Sequence, residues 1–273
     1  MPQPLLPPTK ARREALAVLA DYFCLNTRMA AELLGISVRA VQAHYQRLID
    51  AHLVYGIRYA PEEHLKGAIP VAYGLSDSGV DTVFREGFAT DSTKTIKGHK
   101  PSRIEHEVMI SRFHLEVARL CEEKGWDVRW RQRDLRHGVY PDALFRVNGA
   151  YFFLEIERAK LGDYKNGEPQ LLRKLTTYRD YHDSADCEND FGFRKFKVVT
   201  VMRTSARATN LETRTASAGF DPAIFAVSSE QELFDSACPQ DAHSAHRARI
   251  AEAPLRAILG LAICTGRGNA NPT

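Results

Sequence analysis

Long apolar runs, paired cysteines and cofactor-binding motifs are all missing from this sequence. No apolar run in its 273 residues approaches the roughly 18 residues that a membrane-spanning helix needs. The first ten residues hold four prolines and no apolar segment of a secretory leader, so we expect no signal peptide. The five cysteines are scattered, without a Cys-x-x-Cys pair. This spacing argues against a disulfide framework and favours a reducing cytoplasm.

The remaining composition is that of an ordinary globular protein. Apolar residues make up 44% and charged residues 26%, which excludes a collagen-like or mainly disordered chain. No Walker loop, dinucleotide-binding glycine motif or zinc-ligand spacing is found, and the ten histidines are dispersed, so we expect no structural zinc. The net charge is only +3, so a nucleic-acid-binding surface would have to come from a local arrangement of charges.

The first 88 residues have the pattern of a winged helix-turn-helix. Helices are predicted over residues 11–23, over 28–34 between Thr27 as N-cap and Gly35, and from Ser37 as N-cap to about residue 51. Strands are predicted over 53–59 and 71–75, and Ser76 begins a fourth helix. In this arrangement the helix after Ser37 would enter the major groove of DNA.

The helix after Ser37 carries the candidate base-reading residues. One side is apolar, the opposite side carries Arg39, Gln46 and Arg47, and Gln42 lies on its flank. Arginine and glutamine make forked contacts with guanine and adenine edges, and Arg58 on the predicted wing is placed to meet a phosphate. Winged helices also act as dimerisation or protein-docking modules, which remains the alternative.

A polar segment, residues 89–100, is predicted to be a linker to a second domain. A long helix over 101–124 follows and ends at Gly125. The next segment, 126–133, alternates as a strand does and places Arg129, Arg131 and Arg133 on one side. That row is either a phosphate-tracking stripe or a solvated outer face.

Residues 139–158 are predicted to form a hairpin around Asn148-Gly149, the dipeptide that a type I′ turn favours. Counting from that turn places Asp142 opposite Glu155, with Cβ atoms about 5 Å apart, and Glu157 on the same face. Two carboxylates this close need a raised pKa, a nearby cation or a divalent metal, and their oxygens suit Mg²⁺ or Mn²⁺. An ion-pair cluster with Arg146 or Arg158 is the other interpretation.

These motifs resemble the restriction-endonuclease-like PD-(D/E)XK fold through Pro141-Asp142 and Glu155-Ile156-Glu157. More narrowly, the chain resembles the replication-relaxation family of plasmid and mobile-element proteins. The marks of that family are His106, the Pro-Asp strand, the FLEIER strand end at 153–158, a helix with Lys174, Leu175 and Tyr178, and a strand followed by Arg207. The resemblance implies a role in plasmid replication and relaxation.

The third motif departs from that of active nucleases, because Glu157 stands where those enzymes have a lysine. Lys174, on a helix predicted over 169–182, would take that role if the lysine has migrated; otherwise it is a surface lysine lying along tyrosine rings. The inward stripe of that helix is predicted to be Leu171, Leu175, Tyr178 and His182. Glu107 or Glu105 on the long helix would supply the usual further acid. The candidate catalytic set is therefore Asp142, Glu155, Glu157, Lys174 and Glu107, with Asp142 and Glu155 as the metal ligands.

The sequence thus predicts an α+β or α/β protein with a winged helix-turn-helix at 1–95, a restriction-endonuclease-like domain with a mixed sheet at 96–235, and an extension with a flexible tail at 236–273. Three functions stay open: a DNA-binding protein of a mobile element in replication, relaxation or mobilisation, a transcriptional regulator with a degenerate nuclease-like domain, and a Mg²⁺-dependent deoxyribonuclease. The expected partners are double-stranded DNA, replication or relaxase proteins of the element and a second copy of the chain, with no membrane. We expect a cytoplasmic, nucleoid-associated protein.

Overall fold

The computed structural model describes residues 9–59, 69–132, 138–158, 164–165, 168–184, 186–234 and 255. The chain divides into two compact units, residues 1–116 and 117–273. The division falls inside the long helix α5, Pro101–Lys124, rather than at residue 95. The predicted extension at 236–273 lies outside the described residues, apart from Leu255.

The first unit is a winged helix. Its helices are α1 Lys10–Tyr22, α2 Thr27–Leu34, α3 Val38–Asp50 and α4 Asp77–Arg85, followed by the first part of α5. Its strands are β1 Cys24–Asn26, β2 Val54–Arg58 and β3 Val71–Leu75, and they form an antiparallel sheet in the order β1–β3–β2. The predicted helices and wing strands are confirmed, whereas β1 was not anticipated.

Local capping sets the turn between α2 and α3. The Asn26 side chain accepts a hydrogen bond from the Met29 amide at 3.0 Å, so Asn26 and not Thr27 is the N-cap of α2. Gly35 has the positive φ of 63° that ends a helix, and the Ser37 hydroxyl accepts from the Ala40 amide at 3.2 Å to begin α3. The predicted Gly35 and Ser37 signals are therefore confirmed.

Residues 89–100 are not a free linker. Ile96 is completely buried and packs on Gly74 of β3, and its amide donates to the Leu75 carbonyl at 2.9 Å. The Thr90 hydroxyl donates to the Ala20 carbonyl at 3.0 Å. The polar composition predicted a linker, but threonine hydroxyls of this segment bond to backbone carbonyls and Ile96 packs into the core of the first unit.

The second unit continues from the end of α5 and is built on a mixed sheet. Its main strands are β4 Val128–Gln132, β5 Ala143–Val147, β6 Ala150–Glu157, β9 Phe196–Met202 and β10 Phe225–Ser229. Its remaining elements are β7 Tyr164–Lys165, β8 Glu168–Pro169, α6 Gln170–Asp183, α7 Asp186–Phe191, α8 Ser205–Ser217 and α9 Glu230–Phe234. The main sheet has the order β10–β9–β6–β5–β4, in which β4, β5 and β6 are antiparallel and β6, β9 and β10 are parallel.

The predicted hairpin register is confirmed. Asn148 and Gly149 both have positive φ, 51° and 88°, as a type I′ turn requires. The partners are Val147 with Ala150, Arg146 with Tyr151, Phe145 with Phe152 and Leu144 with Phe153. Because the register holds, Asp142 falls in the same row as Glu155.

The main sheet has two different faces. One carries Phe153 and Val198, which join a core cluster with Leu175 and Tyr178 of α6. The other carries a stack of aromatic rings, Trp130 on Phe145 at 5.1 Å and Phe145 on Phe152 at 4.9 Å. Alternation along β6 places Glu155 on the face that α6 covers.

None of the helices in the described ranges is both long and apolar enough to span a membrane. Cys24, Cys121 and Cys187 are buried free thiols.

Candidate functional site

The outer face of α3 is the candidate nucleic-acid interface. Arg39, Gln42, Gln46 and Arg47 are all exposed. The Gln46 amide also donates to Asp50 Oδ1 at 2.9 Å, one turn further along the helix. Four polar side chains thus line one side of a helix that begins at a well-capped turn.

The inner face of α3 fixes the helix to the core of the first unit. Val41, Tyr45 and Leu48 are fully buried. The Tyr45 ring stacks on Tyr73 at 4.4 Å, and its hydroxyl donates to the Ala15 carbonyl at 3.3 Å. This packing fixes the rotation of α3 and therefore which side chains face solvent.

The wing adds an exposed Arg58 at the end of β2 and an exposed Tyr55. The loop that follows, residues 60–68, lies outside the described residues. A phosphate contact by Arg58 stays a prediction.

The second candidate site begins at Asp142, directly before β5. The Asp142 amide donates to the Leu154 carbonyl at 2.9 Å, and the Ile156 amide donates to Asp142 Oδ2 at 2.8 Å. The carboxylate therefore takes the place of a backbone acceptor where the β5–β6 ladder ends. This bond fixes the Asp142 side chain beside Glu155.

Glu155 is the buried acid of the pair. Only 3% of the residue is exposed, and its two carboxylate oxygens accept hydrogen bonds from Lys174 Nζ and from the Tyr178 hydroxyl. Lys174 and Tyr178 are four residues apart on α6 and so project from the same side of that helix. The structure thus brings together Asp142, Glu155 and Lys174 from the predicted set.

The environment raises the pKa of Glu155 to about 8. Burial is the largest cause, the positive charge of Lys174 opposes it, and the negative charge of Asp142 adds to it. The pKa of the Tyr178 hydroxyl is also raised, by burial first and by Glu155 next. From the sequence, we expected the negative charge of the neighbouring acid to raise a carboxylate pKa. In the structure, burial of Glu155 contributes more to its raised pKa than the charge of Asp142 does.

The other predicted acids lie in different surroundings. Glu157 is half-buried and lies beside Met202 in the parallel β6–β9 pair. Glu107 is fully buried in the first unit, where Arg103 Nε lies 3.4 Å from its Oε1, and Glu105 is half-buried. Catalytic roles for Glu157 and Glu107 stay predictions.

The expected arginine partners of the acid pair form other ion pairs. Arg158 Nη1 lies 2.9 Å from Glu230 Oε1, and Arg146 Nη2 lies 2.6 Å from Asp127 Oδ2. The cation at Glu155 is Lys174. No cluster of three or more histidine, cysteine, aspartate or glutamate side chains in the described part of the chain could hold a metal ion.

The alternation predicted for the strand at 126–133 is present in β4. Arg129 and Arg131 are exposed, while Val128 and Trp130 are half-buried. Arg133 lies outside the described residues. Phosphate binding by this row stays a prediction.

Two features of the site were missed. The sequence predicts Tyr178 only as part of the inward stripe of α6. Its position one turn after Lys174 is the signal that its hydroxyl can reach the Glu155 carboxylate as Lys174 does. The inner stripe itself contains Tyr181 instead of His182, since Tyr181 is buried and His182 is half-buried. The Tyr181 hydroxyl donates to Asp190 Oδ2 of α7 at 2.7 Å, which explains how a tyrosine is accommodated there.

A family model described as replication-relaxation matches residues 16–195, more than half of the sequence. The chain belongs to the replication-relaxation family. The match covers α3, Asp142, Glu155 and Lys174 of this family member. Among curated proteins, none matches the chain.

Several solved structures are similar to parts of this replication-relaxation protein. A MarR mutant from E. coli in complex with operator DNA is 17% identical, with a TM-score of 0.26, over 29% of this chain and 52% of that chain. The zinc-responsive MarR family member ZitR from Lactococcus lactis is 20% identical, with a TM-score of 0.27, over 45% of this chain and 80% of the ZitR chain. Protein VC1899 from Vibrio cholerae is 15% identical, with a TM-score of 0.31, over 82% of this chain and 48% of the VC1899 chain. The chain thus spans about half the length of the MarR chain.

Proposed function

We propose that this protein binds double-stranded DNA of a plasmid or other mobile element and acts in its replication, relaxation or mobilisation. The observation that carries the proposal is the exposed polar face of α3 on a winged helix, in a chain that belongs to the replication-relaxation family. A helix in this position reads base edges in the major groove, while wing residues bind the backbone.

The proposal assigns different tasks to the exposed side chains. Arg39 and Gln42 lie in the first turns of α3, the part of a recognition helix that meets base edges. Arg58 on the wing supplies a phosphate contact without sequence preference. Such proteins commonly bind two-fold sites as dimers, so we infer a homodimer on DNA, with relaxase or replication proteins of the element as further partners.

The test is DNA binding by full-length protein with Arg39→Ala and Gln42→Ala, on the best site enriched from a random DNA library. Each lost base contact should weaken specific binding by about 1–3 kcal/mol and relax the preference at that position. Arg85→Ala is the matched control, because Arg85 is an exposed arginine of α4, outside the helix-turn-helix pair. Unchanged specificity in the α3 variants, measured by fluorescence anisotropy, would contradict the recognition-helix assignment.

A metal-dependent deoxyribonuclease is the second candidate function, and the contact between Lys174 and Glu155 favours it. The order helix, three antiparallel strands, helix, parallel strand (α5, β4–β6, α6, β9) agrees with the nuclease-like resemblance. Lys174 reaches the carboxylate from α6, as a lysine that has migrated from the third motif would do. These observations support the nuclease proposal.

The donor set fits Mg²⁺ or Mn²⁺ in type, because one or two carboxylates plus water often hold such an ion. Asp142 and Glu155 would be the ligands. A bound ion would supply charge stabilisation and an activated water for phosphodiester hydrolysis. Of the residues themselves, Tyr178 orients one oxygen of Glu155, and Lys174 supplies a positive charge beside the other.

Calorimetric titration with Mn²⁺ tests this second function. Wild type should bind the ion, Asp142→Asn should bind it much more weakly, and Asp127→Asn, which alters an exposed acid of the same unit, should behave as wild type. Mg²⁺-dependent nicking of plasmid DNA should be lost in Asp142→Ala. If neither wild type nor Asp142→Asn binds Mn²⁺, the nuclease proposal fails and DNA binding alone remains.

The genomic location of the bound DNA distinguishes the mobile-element role from a transcriptional regulator with a degenerate nuclease-like domain. A footprint at a replication or transfer origin supports the proposed role. A footprint only upstream of the protein's own gene supports the regulator.

A further inference from the structure

Two arginines lie directly opposite each other at the outer edge of the main sheet. Arg129 of β4 pairs with Arg146 of β5, so both side chains project from the same face. Like charges in directly opposite positions destabilise a strand pair. The arrangement therefore needs an anion between the two guanidinium groups.

Asp127 provides that anion within the chain. Its Oδ2 lies 2.6 Å from Arg146 Nη2 and 4.0 Å from Arg129 Nε. One carboxylate faces two guanidinium groups, so the cluster of Asp127, Arg129 and Arg146 has an excess positive charge. The Arg129 side chain is 75% exposed and Asp127 58%, so solutes can reach the cluster.

A pair of stacked aromatic rings lies next to Arg146, on the side away from Arg129. Tyr151 of β6 lies opposite Arg146, and its ring stacks on Phe193 at 3.7 Å. Arg146 is thus held by its ion pair with Asp127 and lies beside Tyr151, its cross-strand neighbour, whereas 75% of the Arg129 side chain is exposed.

We propose that Arg129 and Arg146 form a binding site for a phosphodiester of the DNA backbone, with the Asp127 carboxylate at the position that a phosphate oxygen takes. Guanidinium groups bind phosphate and carboxylate in the same forked geometry, which is why an aspartate can stand in for a phosphate between them. The site rests on the proposed DNA-binding function and adds a second, sequence-independent contact in the second unit.

The sheet register relates this site to the carboxylate pair. Arg131 lies on the same side of β4 as Arg129 and pairs with Leu144, which pairs with Phe153. The next row on that face contains Asp142 and Glu155, four residues along the strands from Arg146 and Tyr151, a distance of about 13 Å. A backbone bound at the edge is therefore on the same sheet face as Glu155.

The first test is the salt dependence of DNA binding by the full-length Arg129→Ala/Arg146→Ala variant. The loss of two phosphate contacts should flatten the slope of log K against log salt by about 1.8 and weaken binding to any DNA, while sequence preference stays. Arg179→Ala is the control with the same charge change per residue. The Arg179 guanidinium lies 4.8 Å above the Phe220 ring, which packs on Phe225 of β10 at the opposite sheet edge.

The second test is Asp127→Asn, which should bind DNA about fivefold more tightly at moderate salt because one unit of repulsion near a phosphate is removed. Misfolding could not produce tighter binding. A wild-type slope in the double arginine variant, or unchanged or weaker binding by Asp127→Asn, would overturn the site and leave the arginines as charges that protect an edge strand from pairing.

Arg39→Ala separates this proposal from the proposed function. If it weakens specific binding while the double variant keeps the wild-type slope, only this site fails; if wild type binds no DNA, the proposed function fails with it.

Discussion

Glu155 combines two opposing demands on one carboxyl group. Burial favours its neutral form, while hydrogen bonds from Lys174 and Tyr178 favour the anion. Burial dominates, so the group titrates near pH 8 in the folded protein. In the unfolded chain it would return to the ordinary value of 4.5.

The shift predicts a pH dependence of stability. Between about pH 4.5 and 8 the folded state holds a proton that the unfolded state has released, so the free energy of unfolding falls as pH rises through this window. Glu155→Gln keeps a neutral group at every pH and should lose this dependence. We therefore expect the difference in free energy of unfolding between the variant and wild type to shift in favour of the variant from pH 5 to pH 8.5. The shift should be on the order of a few kcal/mol, measured by urea unfolding at each pH.

A comparison between the two proteins removes the titration of every other group. Glu123→Gln serves as the control, because Glu123 is an exposed acid near the end of α5, in the same unit as Glu155. A stability difference between Glu155→Gln and wild type that stays constant with pH would show that Glu155 ionises at its ordinary pKa in the fold.

At the scale of elements, two positions in the winged helix require glycine for different reasons. Gly79 lies inside α4, and a Cβ there would meet the Leu53 carbonyl oxygen at 2.0 Å. Gly35 ends α2 with a φ of 63°, but a Cβ there would meet nothing within 4 Å. Gly79 permits a close approach of two backbones, whereas Gly35 permits a left-handed turn.

These causes predict different costs for alanine. Alanine normally stabilises a helix interior by about 1 kcal/mol relative to glycine, but at Gly79 it would force α4 away from a backbone atom. We expect Gly79→Ala to reduce the free energy of unfolding by about 3 kcal/mol or more, a cost at or beyond the usual range for overpacking. Gly35→Ala should cost about 1–2 kcal/mol, the strain of one left-handed residue. Equal urea midpoints for the two variants would contradict the close approach at Gly79.

The elements that the sequence predicted well have strong local signals. Asn148-Gly149 determined the turn type, and counting from it gave the row that contains Asp142 and Glu155. The long helix was predicted from its periodicity and its terminal glycine, and its bounds agree with α5, Pro101–Lys124. In each case a residue preference decides the local backbone without help from distant parts of the chain.

The missed features depend on tertiary contacts. β1 has three residues, too few to show alternation, and it exists because β3 pairs with it. The contact of Lys174 with Glu155 depends on how α6 crosses the sheet, which periodicity does not specify. The burial of Ile96 depends on the space above Gly74, which only the folded sheet provides.

At the scale of the whole molecule, the winged helix extends beyond the segment that resembles one. Ile96 and three residues of α5, Ile104, Val108 and Leu115, belong to the same buried cluster as the α1 and α3 core. Burying side chains of this size contributes about 1.5–3 kcal/mol each, so the four together contribute roughly 6–12 kcal/mol as an upper bound. That sum is comparable with the entire stability of a small domain, about 5–15 kcal/mol.

The cluster predicts which fragment of the chain folds independently. A fragment of residues 1–116 should show helical circular dichroism and a cooperative urea transition, and it should keep the DNA binding proposed for α3. A fragment of residues 1–95, cut at the boundary that composition suggests, lacks all four side chains and exposes the surfaces they cover, so it should show no cooperative transition.

The double variant Ile104→Ala/Val108→Ala in the longer fragment distinguishes the loss of packing from the shortening of the chain. It should lower the urea midpoint in proportion to the removed side chains. If residues 1–95 unfold with the same midpoint as 1–116, α5 contributes nothing to the winged helix, and the first unit ends where its composition changes.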